Sequence, residues 1–324
     1  MPLPLGTLAI MQGGWKPLER RGTGRTGDAE KRPSALTIAL FFRVDFSARD
    51  NADMLFADLA LSRRLELAEC EAGTAYVEAR RKLQPEAGAL WREIAGARAM
   101  FDGPDSPITQ TFGLGLSGPV TAGDLDEIET FFLDRGAAVN HEISPLADPS
   151  LWPLLTARGY TPIEFTSVLY RDLNAFPPQP LPTGDILVRP LEPGEADTFL
   201  RINLEGWSET PGIADFLTDL VSIMLNAEGL RPFLALANGE PVAGGSLGIR
   251  GPVAMFAGAC TIPSARGRGA QGALLEERLR TAVREGCSIA VMCAQAGSGS
   301  QRNAQRSGFH IAYTRTKWQL AARS

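Results

Sequence analysis

Short runs rich in β-branched residues alternate along this chain with segments whose apolar residues recur every three or four positions. The first pattern predicts strands and the second predicts amphipathic helices. In the second half, strands are predicted at 186–191, 231–237, 241–247, 253–262, 288–294 and 311–318, and helices at 195–207, 213–226, 273–285 and 300–306. Asn238-Gly239 is a strong turn signal between two of the strands. This order predicts an α/β (α+β) fold with a mixed, mostly antiparallel sheet flanked by helices.

The pattern occurs twice, because the helical segment 125–136 matches the segment 275–286, which lies 150 positions later. In each half a strand follows, then a short helix that ends at a glycine and an aromatic residue, Gly159-Tyr160 or Gly308-Phe309. A β-branched and aromatic strand closes each half. The repeat predicts two similar domains in tandem.

Proline-rich and glycine-rich segments set the predicted boundaries. Residues 174–184 contain four prolines and are predicted to be a stiff linker. Residues 1–45 are expected to form a loosely ordered extension, because a composition rich in glycine, proline and arginine offers little apolar surface to bury. The predicted domains are therefore residues 46–173 and residues 185–324.

The segment 261–272 carries the chemistry that is easiest to interpret. It joins a predicted strand to a predicted helix and contains Gly267, Gly269 and Gly272, with Arg266 and Arg268 beside them. A glycine-rich turn at a helix N-terminus presents unpaired N–H groups and the positive end of the helix dipole. The segment is therefore expected to bind a phosphate-bearing ligand.

The three glycines also match the dinucleotide fingerprint G-x-G-x-x-G. A nicotinamide site needs in addition an acidic residue about 20 positions later, at the end of the next strand. The predicted strand 288–294 contains no carboxylate. An NAD(P)-dependent oxidoreductase is therefore the less favoured interpretation.

The order of loop, helix, strand and second helix resembles the GNAT superfamily of acyl-CoA-dependent N-acyltransferases over residues 186–320. Arg266 and Gly269 fill the first and fourth positions of the family motif Arg/Gln-x-x-Gly-x-Gly/Ala, and Gln271 departs from it. The resemblance implies two tandem GNAT-like domains and acetyl-CoA as co-substrate. The implied CoA-binding residues are Cys260, Thr261, Ile262, Arg266, Gly267, Arg268, Gly269, Ala270, Gln271, Gly272 and Asn303.

Within this resemblance, loop N–H groups from Arg268 to Gly272 would hold the pyrophosphate, and the pantetheine arm would lie along residues 260–262. Asn303 is expected either to contact CoA or to help cap its helix. The family's frequent tyrosine acid falls on Ala304. The candidate base is Glu205, which is alternatively a solvated helix residue, and the candidate acid is Tyr313, which is alternatively a core residue.

The first half lacks the features of this phosphate site. At the matching positions it has Leu116-Ser-Gly-Pro-Val-Thr-Ala122, without either arginine and with Pro119 in place of Gly269. Proline has no N–H to offer a phosphate. The first half is therefore expected to be a degenerate domain that does not bind CoA.

Composition narrows the remaining possibilities. A net charge of −5 argues against general binding of nucleic acids or membrane surfaces. Four cysteines without metal spacing and only two histidines make a metal site unexpected. With no long apolar segment, the chain is expected to be a cytoplasmic monomer or homodimer.

Together these observations predict an N-acetyltransferase that moves an acetyl group from acetyl-CoA to the amine of a small molecule by direct attack. A non-catalytic acyl-CoA-binding module is the alternative from another functional class.

Overall fold

The computed structural model describes residues 55–174 and 186–321. The predicted extension at 1–45 lies outside the described residues, as does the predicted linker apart from Asn174. The helices are α1 (Leu59–Leu83), α2 (Ala122–Leu133), α3 (Leu151–Ala157), α4 (Ala196–Gly206), α5 (Ala214–Met224), α6 (Ala270–Arg284) and α7 (Gly299–Arg306). The strands are β1 (Leu90–Ile94), β2 (Ala97–Phe101), β3 (Gln110–Phe112), β4 (Asn140–Ile143), β5 (Tyr160–Asp172), β6 (Ile186–Pro190), β7 (Leu230–Ala237), β8 (Glu240–Arg250), β9 (Val253–Thr261), β10 (Ile289–Gln295) and β11 (His310–Leu320).

These strands form one mixed sheet in the order β1-β2-β3-β4-β11-β5-β10-β9-β8-β7-β6. Within the described residues, the pairs β3–β4 and β9–β10 are parallel and the other pairs are antiparallel. Each half thus contributes an antiparallel meander that ends in one parallel pair. The predicted fold class, a mostly antiparallel sheet flanked by helices, is confirmed.

The two halves exchange their closing strands. β5, the last strand of the first half, pairs with β10 of the second half from Asp172↔Ile289 to Thr166↔Gln295. β11, the last strand of the chain, pairs with β4 of the first half from Thr316↔Ile143 to Gln319↔Asn140. The two exchanged strands also pair with each other. The sheet therefore runs without a break from one half of the chain to the other.

Helix α1 was not predicted, yet it connects the two halves. Asp58 caps its N-terminus by accepting a hydrogen bond from the N–H of Leu61 (2.8 Å). Tyr76 and Val77 are buried in a core that contains Phe112 of β3 and also Leu220 of α5. The first-half helix thus packs against a helix of the second half, and their apolar contact stabilises both.

A buried ion cluster joins the beginning of the described chain to its end. Arg315 of β11 is fully buried, and its guanidinium contacts Glu66 (3.1 Å) and Glu69 (2.7 Å) of α1 and Glu142 (2.9 Å) of β4. Lys317 lies 3.3 Å from Glu142. Removing one member of a buried ion pair typically costs about 3–5 kcal/mol, because the other charge stays buried without compensation. The cluster therefore holds β11 in its exchanged position.

Burial raises the pKa of Glu66 from an ordinary value of 4.5 to about 7, although Arg315 acts in the opposite direction. The nearby Glu69 carboxylate raises the pKa of Glu66 as well. A carboxyl group whose pKa is raised by folding binds its proton more tightly in the folded state. Its stabilising contribution is complete below its unfolded pKa and is lost as the pH rises through about 7.

We expect the substitution Glu66→Gln to remove this pH dependence. The free energy of unfolding of the variant should rise relative to wild type by up to about 1.4 kcal/mol per pH unit between pH ~5 and pH ~7. Urea unfolding at several pH values measures the difference. Glu127→Gln, at an exposed position of α2, is the control and should follow wild type. A difference for Glu66→Gln that does not change with pH would contradict the assignment.

Candidate active site

The parallel strands β9 and β10 separate at one end. They pair from Val253↔Ile289 to Phe256↔Met292, and beyond that point the two strands share no register partners within the described chain. Residues 257–261 of β9 and 293–295 of β10 thus border a gap, which we call the wedge. A separated pair of strands leaves backbone N–H and C=O groups able to bond an extended ligand.

A β-bulge lies in the part of β9 that borders the wedge, in its pairing with β8. The register between β8 and β9 shifts between Gly244 and Ser246, so that one residue of β8 lies opposite two residues of β9. Gly258 at this point has a φ of 58°, which favours glycine. A bulge bends its strand and redirects the local backbone groups. It therefore changes how β9 presents its peptide groups along the wedge.

The loop of residues 266–272, which we call the glycine loop, follows β9 and opens helix α6. Gly267 (φ 77°) and Gly269 (φ 87°) adopt left-handed conformations that residues with a Cβ rarely tolerate. Gly269 is the N-cap of α6, and no side chain caps this helix. The first amides of a helix have no intrahelical acceptor. The loop and helix terminus together form a site suited to an anion.

The two arginines of the glycine loop have different surroundings. Arg266 forms an ion pair with Glu209 (2.8 Å) and donates to the backbone oxygens of Gly206 (3.0 Å) and Thr261 (3.3 Å). Arg268 is exposed and forms no ion pair with any residue in the described ranges. Arg266 therefore fixes the loop against α4 and β9, whereas the charge of Arg268 is available to an anion.

The three residues at the end of β9 and just after it, residues 260–262, have different surroundings. Cys260 is buried, its Sγ lies 3.5 Å from the backbone oxygen of Ile202, and burial raises the pKa of its thiol to about 12. Such a thiol is not a nucleophile at neutral pH. The Thr261 hydroxyl donates to Oε1 of Gln271 (3.4 Å). The N–H of Ile262 donates to the Val242 oxygen on β8 (3.0 Å), so it is directed away from the wedge.

A cavity adjoins the wedge, and both halves of the chain line it. The second half contributes Gln271 of α6 and Asn303 of α7, together with residues of β9 and β10. The first half contributes Glu69 of α1 and Gln110 of β3. Ser298, not Asn303, caps α7 by accepting from the N–H of Gln301 (3.2 Å). Asn303 therefore remains exposed on the cavity wall.

The two candidate catalytic residues from the sequence lie off the cavity wall. Glu205 is half-exposed on α4 and pairs with Arg201 (2.9 Å). Tyr313 is buried on β11, and its hydroxyl lies 2.8 Å from Oε1 of Glu66, within the ion cluster. Burial raises the pKa of the Tyr313 hydroxyl well above its ordinary value. Their predicted roles remain predictions.

Sequence reasoning missed Glu69 and Gln110. Glu69 shares a helical face with Glu66, Leu65 and Tyr76, and an acidic pair within an apolar stripe was a signal that could have revealed it. Gln110 lies on a strand of only three residues. A strand that short shows no alternation from which its buried face can be predicted.

The helix of the first half that corresponds to α6 is capped by its own side chains. The N–H of Asp124 donates to Oγ1 of Thr121 (3.2 Å), and the N–H of Thr121 donates to the Asp124 carboxylate (2.8 Å). The bonds from Thr121 hold the pKa of Asp124 below its ordinary value. A carboxylate thus occupies the place where α6 offers free amides, and it repels a phosphate.

Two possible features are not found among the described residues. No group of three or more His, Cys, Asp or Glu side chains in that part of the chain could hold a metal ion. No helix there is both long enough and apolar enough to span a membrane.

Comparisons with known proteins identify the fold and a family domain. The family model for the acetyltransferase (GNAT) family matches residues 196–309. A GCN5-related N-acetyltransferase from Kribbella flavida is similar in structure with a TM-score of 0.56 and 17% identity, over 77% of this chain and 96% of that one. A GCN5-related N-acetyltransferase from Sphaerobacter thermophilus is similar in structure with a TM-score of 0.50 and 17% identity, over 81% of this chain and 94% of that one.

A tandem GNAT protein from the clavulanic acid biosynthesis pathway is similar with a TM-score of 0.53 and 12% identity, over 83% of this chain and 98% of that one. No curated protein sequence matches the chain. At these identities the structural similarities establish the fold, and the family model establishes the domain. The chain therefore carries an acetyltransferase domain of the GNAT family at residues 196–309, within a fold that resembles a tandem GNAT protein.

Proposed function

We propose that this protein is an N-acetyltransferase that transfers the acetyl group of acetyl-CoA to the amine of a small molecule. The observation that carries the proposal is the position of the glycine loop, whose uncapped helix follows the strand that borders the wedge. The wedge in turn adjoins a cavity lined by both halves. An anion site, an open strand edge and a cavity are the three parts that a two-substrate acyl transfer needs.

The residues present fit acetyl-CoA. The amides from Arg268 to Gly272 would bind the pyrophosphate oxygens, and the exposed Arg268 would add charge. The backbone of β9 beside the wedge would bond the pantetheine arm. A backbone N–H near the bulge at Gly258 would polarise the thioester carbonyl. Asn303, on the cavity wall, would contact the same arm.

Direct attack on the thioester requires a group that takes a proton from the amine. Glu69 lines the cavity, whereas Glu205 lies on α4 and pairs with Arg201. Glu205 is retained as the alternative base. Tyr313, as an acid, would have to act through Glu66, which its hydroxyl contacts.

A non-catalytic acyl-CoA-binding module would use the same loop and wedge. The two functions differ in one observable, the release of CoA when an amine is present. The dinucleotide alternative is disfavoured because β10, from Ile289 to Gln295, carries no carboxylate for a ribose.

Acetyl-CoA should raise the thermal stability of the protein, and NADH and NADPH should not. A ligand at about 100 times its dissociation constant adds about 2.7 kcal/mol to the stability of the state that binds it. Thermal-shift measurements with each ligand test this, and a thiol assay with a panel of amines tests for CoA release. Stabilisation by NADH alone would contradict the proposal. Stabilisation by acetyl-CoA without release of CoA would favour the binding module.

The substitution Arg268→Glu should weaken CoA binding by about tenfold at low salt, because it replaces an attractive charge near the phosphates with a repulsive one. The loss should be smaller at high salt, since ions screen exposed charges. Isothermal titration at two salt concentrations measures both effects. The control, Arg92→Glu, makes the same change at an exposed position of β1. Equal affinities for both variants would remove Arg268 from the site.

One CoA should bind per chain. The α2 terminus has Pro119 near it, and the Asp124 carboxylate accepts from the N–H of its N-cap Thr121, whereas the α6 terminus is uncapped. A lost charge-assisted hydrogen bond costs on the order of 1.5–3 kcal/mol, so a few such losses abolish a micromolar site. The stoichiometry from isothermal titration should be one. A value of two would place a second site in the first half and contradict this interpretation.

A further inference from the structure

The part of the cavity formed by the first half and α5 has an apolar wall with few polar groups. The apolar side chains come from α1, β2, β3 and α5 and from the segment just before β3: Tyr76, Met100, Ile108, Phe112, Leu220 and Met224. Such a wall fits an apolar or aromatic body. What the cavity selects is then decided by the few polar atoms that it contains.

Gln110 supplies one of these atoms. The residue is 1% exposed, it lines the cavity, and its Oε1 accepts no hydrogen bond from any described residue. Gln110 and Phe112 lie two positions apart on β3, so their side chains share one face of the strand. Both residues line the cavity, which places the Gln110 amide on the cavity face. Buried polar atoms are nearly always hydrogen-bonded, so an orphaned oxygen here indicates a missing donor.

Glu69 supplies the second polar group. Its carboxylate lines the cavity while Arg315 donates to it (2.7 and 2.9 Å), and the Cys293 Sγ lies 3.3 Å from it. The surrounding cluster contains more acids than bases: Glu66, Glu69, Glu142 and Glu164 against Arg315 and Lys317. When Glu66 is protonated, the other three carboxyl groups still outnumber the two bases. The excess negative charge favours a cation in the adjoining cavity.

Arg278 is the cation on the cavity wall formed by α6 and β9. Its guanidinium is buried and donates to the backbone oxygens of Leu274 (3.2 Å), Ser246 (2.9 Å) and Ala257 (3.5 Å). These carbonyls bond the guanidinium within the protein. Its presence on that wall makes the wall with Glu69 the favoured place for an ammonium group.

We propose that this cavity is the acceptor site and that it selects a primary amine on an apolar or aromatic body which also carries a hydrogen-bond donor. The ammonium is held at Glu69, the body packs on Phe112 and Met100, and the donor bonds Oε1 of Gln110. The inference rests on the proposed acetyltransferase function. A long acyl chain would fill the apolar wall but would offer no donor to Gln110 and no cation to Glu69.

The chemical step balances with these groups. Glu69 takes one proton from the ammonium, and the freed lone pair forms the C–N bond with the thioester carbon. The C–S bond then breaks, and the CoA thiolate takes up the proton that the new amide nitrogen loses. Glu69 returns its proton to solvent. The products are the acetylated amine, CoA and one proton.

Tyramine and phenethylamine are the probes, because they are aromatic primary amines that differ only in a phenol hydroxyl. Wild type should acetylate tyramine with a kcat/KM at least about tenfold higher. Gln110→Met should remove this preference by lowering kcat/KM for tyramine alone, with the KM for acetyl-CoA unchanged. The control is Gln319→Met on β11, whose side chain bonds Asn140 (3.0 Å) away from the cavity wall, and it should keep the preference.

Glu69→Gln tests the ammonium end. It should lower kcat by about 100-fold or more with little change in acetyl-CoA affinity, whereas the control Glu127→Gln, at an exposed position of α2, should keep the wild-type rate. The Gln110 test does not depend on how well this variant folds.

Acetylation without a tyramine preference, or with a preference that survives Gln110→Met, would overturn this inference and leave the proposed function intact. Affinity that rises with acyl-chain length and rises further in Gln110→Met would assign the cavity to the acyl group instead. If acetyl-CoA releases no CoA with any amine, the proposed function fails and this inference fails with it.

Discussion

The exchange of closing strands depends on one buried guanidinium. Arg315 lies on the last strand of the chain, yet its partners are Glu66 and Glu69 on the first described helix and Glu142 on β4. Burying these charges is favourable only when they lie together. The cluster therefore favours the arrangement in which β11 pairs with the first half, and β5 then takes the position beside β10. The same cluster places Glu69 on the wall of the cavity.

The two halves show how a repeated fold can serve two purposes. At the start of α6, glycines leave the helix amides without a side-chain cap. At the start of α2, Thr121 and Asp124 cap the helix and stabilise it, which removes a place for an anion. The first half contributes instead the wall of the cavity, through Glu69, Gln110 and their apolar neighbours. The packing of the first half against the second half and its contribution to the cavity wall together explain why the first half is retained.

Much of the second half could be predicted from the sequence, because its apolar periods are long and its turns carry glycine. The predicted helix 273–285 is α6 with its start three residues earlier, and the predicted GNAT resemblance is confirmed over residues 196–309. The capping box Thr121-x-x-Asp124 was a readable signal that was missed. The exchange of β5 and β11 could not be predicted, since periodicity gives the face of a strand but not its partner. The role of Gln110 likewise depends on contacts between segments far apart in the chain.

The central claim is that acetyl-CoA occupies the wedge and glycine loop of the second half while the first half builds only the cavity wall. Hydrogen–deuterium exchange of the full chain, with and without acetyl-CoA, tests it most directly, because bound amides exchange more slowly. The account predicts new protection at residues 257–261 and 266–273, with none at 116–124. Protection at 116–124, or acetyl-CoA binding that leaves the exchange of 257–273 unchanged, would contradict it.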